Sequence, residues 1–231
     1  MPLRSPFLLL ALAFASGCNP VESLVEREIE RELPGVIGPA DGYEVDVAGL
    51  RTSTGEAERV TVLGRRVRPA GAPVLDRLDL ELLGVRYDRD ARRLDRVEHA
   101  RATARVLPAD LAPFLDTHRN VRDPAITLRP PDGATLRFRP EAGGFAVPEG
   151  VAVEMTGRLV AEAGRVRFDV SEVRAAGIDL GATVARRLSE AIDPIVDLTD
   201  TRARLQVTAV RVEAGAVVAE ATGDLSGLST R

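Results

Sequence analysis

The sequence predicts an α+β fold in which amphipathic helices lie on a long, curled antiparallel β-sheet. Three observations carry this expectation. Hydrophobic periodicity changes from about 3.6 residues to 2 at Tyr43. The segments of period 2 are apolar on one side and charged on the other, as in a sheet with one wet face. Helical stripes then return twice, giving the order helix, meander, helix, meander, helix, meander.

The first helix is read from "NPVESLVEREIERELPG". Asn19 is a capping residue, Pro20 suits the first helical position, and Glu22 falls where a capping box places a carboxylate. Val21, Leu24, Val25, Ile29 and Leu33 form the apolar stripe, and Pro34-Gly35 ends it. The next helices are "PADLAPFLDTH", with Leu111, Phe114 and Leu115 on one side, and "LGATVARRLSEAIDPIVDL", with Val184, Leu188, Ile192 and Ile195. Pro113 falls in the first turn or two, where a missing N–H costs little, and Pro194 ends or kinks the last helix.

Between the helices, Tyr43, Val45 and Val47 alternate with acidic residues, and Leu78, Leu80 and Leu82 do the same before the parity flips to Val85 and Tyr87. A β-bulge at Leu83-Gly84 would cause that flip. "HARATARV" sets Ala100, Ala102, Ala104 and Val106 against Arg101, Thr103 and Arg105. The pattern returns at Val151, Val153, Met155, Gly157 and Leu159, then at Val166, Phe168 and Val170, then at Leu205, Val207 and Ala209. Hairpin turns are expected at "YDRDARR", "EAGR" and "EAGA". The inner face at Ala100, Ala102, Ala104, Gly157 and Ala161 is short of volume, which leaves room for a closely packed helix or for a ligand chain.

The N-terminus reads as a leader. Arg4 precedes ten apolar residues, Pro6–Ala15, too few for a membrane-spanning helix of about 20 but the length of a secretory h-region. Ala15-Ser16-Gly17-Cys18 resembles a bacterial lipobox, in which cleavage leaves a diacylated cysteine first. Cys18 is the only cysteine of the chain, so no intramolecular disulfide forms. The expected organisation is a signal peptide over 1–17, one domain over 18–223 and a flexible tail over 224–231.

Lys and Arg number 31, all of them Arg, against 35 Asp and Glu, a net charge of −4. An acidic balance without a basic block argues against nucleic acid as partner and against a polybasic grip on anionic headgroups. Catalytic patterns are missing as well: there is no Gly-x-Ser-x-Gly elbow and no Walker loop. The two histidines, His99 and His118, read as a solvated and a helix-end residue, and Asp88-Arg89-Asp90 and Asp197–Asp200 lack the glycine and closing Glu of a calcium loop. No enzyme activity, metal or cofactor is expected.

"ERELPG", "YEVDVAG", "LDRLDLELLGVRYD", "LDRVEHARATARVLPADLAPFL", "RVRFDVSEVRAAGIDLGATVARRLSEAIDPIVDL" and "LQVTAVRVEAGAVVAEATG" together resemble the LmeA-like family of bacterial envelope proteins. The likeness covers roughly 20–223 and is weakest in "HRNVRDPAITLRPPDGATLRFRPEAGG". The resemblance implies phospholipid binding, envelope maintenance and a fold similar to the tubular lipid-binding (BPI-like) proteins, whose curled sheet wraps a long helix around an apolar groove. It supplies no catalytic residues and does not explain Cys18. Residues expected to line such a groove are Leu24 and Val25 of the first helix, Ala100, Ala102 and Ala104, and Leu111 and Leu115 of the second helix. Met155, Gly157, Leu188 and Ile192 complete the set. The expected partners are an acyl lipid and, through Cys18, an extracytoplasmic membrane face. The alternative is a scaffolding lipoprotein with a filled core that binds another envelope protein. Changing Cys18→Ala is expected to release the protein from the membrane fraction or leave it unprocessed, read by fractionation and by the mass of its N-terminal peptide.

Overall fold

A computed structural model describes residues 20–88, 93–118, 121–140, 147, 150–197 and 205–223. Helix α1 (Pro20–Val36) is followed by β1 (Gly42–Ala48), β2 (Glu56–Val67), β3 (Leu75–Asp88), β4 (Arg93–Arg96) and β5 (His99–Val106). Helix α2 (Pro108–Asp116) leads into β6 (Val121–Arg129), β7 (Gly133–Pro140), β8 (Val153–Glu162), β9 (Arg165–Ala175) and β10 (Ile178–Asp179). Helix α3 (Gly181–Ile192) leads into β11 (Val196–Asp197), β12 (Gln206–Glu213) and β13 (Ala216–Gly223). The alternation of helices and antiparallel meanders is the one expected. The lipobox, the "YDRDARR" turn and the tail fall wholly or largely outside the described residues.

The strands form two sheets rather than one long one. The larger runs β1-β2-β3-β5-β13-β12 with β4 beside β3, and the smaller runs β10-β9-β8-β7-β6 with β11 beside β9. The reason is an edge count. β5 is paired on one side by β3 and on the other by β13, so the strand after α2 finds no free edge and starts a second sheet. β2, β6 and β7 were not expected as strands. β12 crosses the inner face of the smaller sheet, tied by Val212 N–H to the Pro131 carbonyl at 2.6 Å and by Val207 N–H to that of Gly164 at 3.3 Å.

The larger sheet has one apolar and one charged face. The cross-strand row Val45, Val62, Leu80, Ala102, Ala221 and Val207 runs through all six of its main strands. On the other face Arg65 meets Glu44, Arg77 clasps Asp79 at 2.7 and 2.8 Å, and Arg211 bonds Glu213 at 3.0 Å. The Asp79 and Glu213 carboxylates raise their arginines' pKa, chiefly through these hydrogen bonds. Pairs this exposed add little to stability, so the face keeps the sheet wet more than it stabilises it.

The expected parity flip in β3 is present, since Leu82 and Val85 are both buried in one cluster. No residue is inserted to make it. Ala57 faces Val85 and Arg59 faces Leu83, so the ladder stays in register, and β2 flips in step to bury both Ala57 and Val60. Gly84 takes φ 62°, the left-handed region open to glycine, and a Cβ there would lie 2.6 Å from the Glu98 side chain.

Helix α1 closes the free edge of β1. The Glu26 and Glu30 carboxylates accept the Val47 and Val45 N–H groups at 3.2 and 3.3 Å. The fit is one of spacing: four helical residues rise about 6.0 Å, and two strand residues about 6.8 Å. Two edge donors that another chain could pair with are thereby occupied. Leu33 of the helix stripe is buried and Val25 and Ile29 are half-buried, whereas Val21 and Leu24 point to solvent.

The smaller sheet packs its inner row Ile126, Leu136, Met155 and Val173 under α2, α3 and β12. The turn "EAGR" is a two-residue hairpin with Ala163 at φ 51° and Gly164 at φ 79°, the conformation matched to strand twist. At the end of α3, Asp193 Oδ1 accepts the Phe168 N–H at 2.9 Å and Oδ2 accepts from Arg167 at 3.2 Å. Ser189 Oγ donates to the Phe168 carbonyl at 3.3 Å, and Ile195 N–H donates to that of Val166 at 2.9 Å. Asp193→Ala strands a β9 donor beneath a helix end and is expected to cost about 1–3 kcal/mol by chemical denaturation. Asp193→Asn keeps the acceptor and is expected to cost less.

Candidate apolar site

The site is built from where side chains are small. β5 and β13 pair alanine to alanine: Ala102 faces Ala221, Ala104 faces Ala219, and Ala100 faces Gly223. With strands about 4.8 Å apart, these six residues make a trough roughly 10 Å wide in the apolar face. Leu78, Leu80 and Leu82 of β3 wall one side, and Val207 and Val210 of β12 the other. Tyr43 roofs the β1 side. Its ring rests over Gly64, where a Cβ would come within 3.0 Å of it, and its hydroxyl donates to the Gly38 carbonyl at 2.7 Å. Burial raises the Tyr43 pKa, and the hydroxyl stays protonated as a donor.

Ala100, Ala102 and Ala221 are buried, while Ala104, Ala219 and Leu80 remain half-buried, with Leu205 and Ile37 packed nearby. Half of the trough is thus covered by the protein's own side chains, and the part at Ala104 and Ala219 reaches the border between core and surface. Ala219, Ala221 and Gly223 were not expected. Their signal is the alternation "AVVAEATG", in which Glu220 and Thr222 mark the wet side.

The residues expected to line a groove fall in three places. Ala100, Ala102 and Ala104 lie together on the apolar face with Val25 in an adjoining cluster. Leu111, Leu115, Met155, Leu188 and Ile192 are at most 6% exposed and form the core between α2, α3 and the smaller sheet. They touch one another and present little surface to a ligand. Leu24 is 61% exposed on the solvent side of α1. Gly157 is small for a different reason than the alanines, because a Cβ there would lie 2.3 Å from the Asp169 carbonyl oxygen of β9. It serves a register shift between Thr156 and Gly157 and leaves no space.

The charged face offers a shallow concavity of about 530 Å³ over Glu44, Asp46, Thr61, Arg77, Asp79 and Arg101. A second of about 260 Å³ lies over Arg51, Glu56, Gly84 and Arg96. Charged and polar residues predominate in both, with Leu63 among them in the first and Ala57 and Val85 in the second. Among the described residues no group of His, Cys, Asp and Glu is placed to hold a metal ion. His118 packs edge-on against Phe114 with ring centres 5.3 Å apart, and His99 is exposed.

No helix is long and apolar enough to cross a membrane among the described residues. Comparison with curated proteins and with solved structures yields no match. The model of one protein family, LmeA-like phospholipid-binding, matches residues 19–222. With nearly the whole described chain inside that match, the protein belongs to the LmeA-like phospholipid-binding family.

Proposed function

We propose that this chain is an exported bacterial lipoprotein that carries phospholipid acyl chains along the alanine trough of its larger sheet and supports maintenance of the envelope. The observation that carries the reading is the apolar face on which β5 and β13 set alanine and glycine opposite one another over three successive pairs, in a member of a phospholipid-binding family. A curled sheet closing around α1 and an acyl chain is the bound arrangement this reading implies. Each buried methylene is worth about 0.8 kcal/mol, so one C16 chain supplies on the order of 10 kcal/mol before ordering costs. No charge and no catalytic group is needed for that. Anchoring through Cys18 would add two or three acyl chains of the protein's own, enough for stable attachment where a single myristoyl chain is marginal.

A second reading, a tethered scaffold with a filled core, is favoured by one observation: the 530 Å³ concavity lies on the charged face, where a protein partner would bind. Filling the trough separates the two. The pair Ala104→Leu with Ala219→Leu is expected to abolish co-purifying phospholipid, measured by native mass spectrometry on protein lacking residues 1–18, while thermal stability is largely kept. Gly157→Ala is the control. It should cost about 1–3 kcal/mol by forcing backbone apart, yet leave lipid stoichiometry unchanged. Lipid retained by the trough-filling pair, or no lipid in the parent protein, rejects carriage and leaves the scaffold.

A further inference from the structure

The exposed apolar residues of α1 are confined to its first turns, with one exception at its far end. Val21 is 39% and Leu24 61% exposed, and both precede the half-buried Val25 and Ile29 that join the core cluster. The solvent-facing side carrying Leu24 passes to Glu28 and Arg31 one and two turns later, and those two are ion-paired. Charge therefore replaces grease after about 6 Å of helix. Val36, 54% exposed, lies about 22 Å along the axis from Val21. Ile178, 69% exposed, is on the smaller sheet.

We propose that the bilayer interface docks on the N-terminal end of α1, through Val21 and Leu24, so that the protein stands on the membrane by one end of its larger sheet. The inference rests on the Cys18 anchor of the preceding section and adds an orientation to it. Only Asn19 separates Cys18 from α1, and two extended residues span at most about 7 Å. Leu24 lies about 6 Å further along the helix. A lipidated Cys18 therefore holds Val21 and Leu24 within or beside an interfacial layer roughly 5–8 Å thick on each leaflet. Apolar side chains are stable there, and water is what they face otherwise. The helix does not lie flat: Glu28, Arg31 and Glu32 continue its outer surface, and their desolvation opposes deeper burial.

The pairing of α1 with β1 fixes what comes down with it. Glu26 bonds Val47 and Glu30 bonds Val45, so the N-terminal end of α1 lies at the Ala48 end of β1. That end of the sheet also holds the start of β2 and the end of β3. The row Val47, Val60, Leu82, Ala100 and Gly223 is then nearest the bilayer, and Tyr43, Leu78 and Ala104 are farthest from it.

Acylation leaves no free thiol, so an introduced cysteine can be labelled alone. Full-length chains carrying Leu24→Cys, Val36→Cys or Ile178→Cys would be purified from membranes, labelled with an environment-sensitive dye and reconstituted in phosphatidylethanolamine–phosphatidylglycerol vesicles. Some vesicles carry nitroxide-labelled acyl chains. The expected result is a blue shift and quenching at position 24 and neither at 36 or 178. Quenching at 24 and 36 alike means that the helix lies flat and overturns the orientation, as does vesicle-bound protein unquenched at 24. An N-terminal peptide without acyl mass, with protein that does not float with vesicles, removes the anchor itself and the docking with it.

Discussion

The architecture hangs on the pairing of β13 with β5. The last described strand returns to the outer side of β5 and occupies the edge that β5 would otherwise offer to β6. Two consequences follow from this one contact. The strands after α2 form their own sheet, and β12, carried along as the hairpin partner of β13, is laid across that sheet to join the two cores. The pairing also sets alanine against alanine, which places the thinnest part of the apolar face between β5 and β13. Had β5 met a strand of valines there, the same topology would leave no trough.

The helices and most of the first meander were legible because their periodicity is local. α1 and α2 start and stop within about two residues of the expected places, whereas α3 ends at Ile192, short of the Ile195 placed in its stripe, because Val196 and Asp197 pair with β9 instead. The break into two sheets was not legible, because it depends on a pairing between residues more than a hundred positions apart. β6 escaped notice for a chemical reason. Asp123 at φ 51° and Pro124 interrupt β6, and Arg122 and Arg129 flank it, so its half-buried Ile126 and Leu128 give too short an alternation. The parity flip at Gly84 was read correctly as a flip. Its cause, a bend that neighbouring strands share in register, cannot be seen from one strand.

Small residues on a strand carry two different meanings here. At Gly157 the missing side chain admits a neighbouring backbone, and the space is already occupied by the Asp169 carbonyl. Ala104 and Ala219 are half-buried, each packed against a core cluster on one side and open on the other. Sequence spacing puts all three on the inward parity of their strands and so treats them alike. The tertiary neighbour separates them, and only the second kind can hold something that is not the protein.

A trough of this kind fixes what sort of selectivity the protein can have. Methylene burial is additive and without direction, so it measures chain length and says little about headgroups. Headgroup choice would need cations free to bind phosphate. Most arginines of the larger sheet's charged face are committed to carboxylates on the same face: Arg65 to Glu44, Arg77 to Asp79, Arg105 to Asp76 and Arg211 to Glu213 and Glu220. Displacing such a carboxylate for a phosphate exchanges one exposed ion pair for another and gains little. On the proposed reading the chain distinguishes lipids by their tails, and what limits exchange is access past α1. That helix is fastened to its strand by two carboxylate contacts longer than 3 Å and by a partly buried stripe. These are the terms expected of an element that covers an apolar face without sealing it.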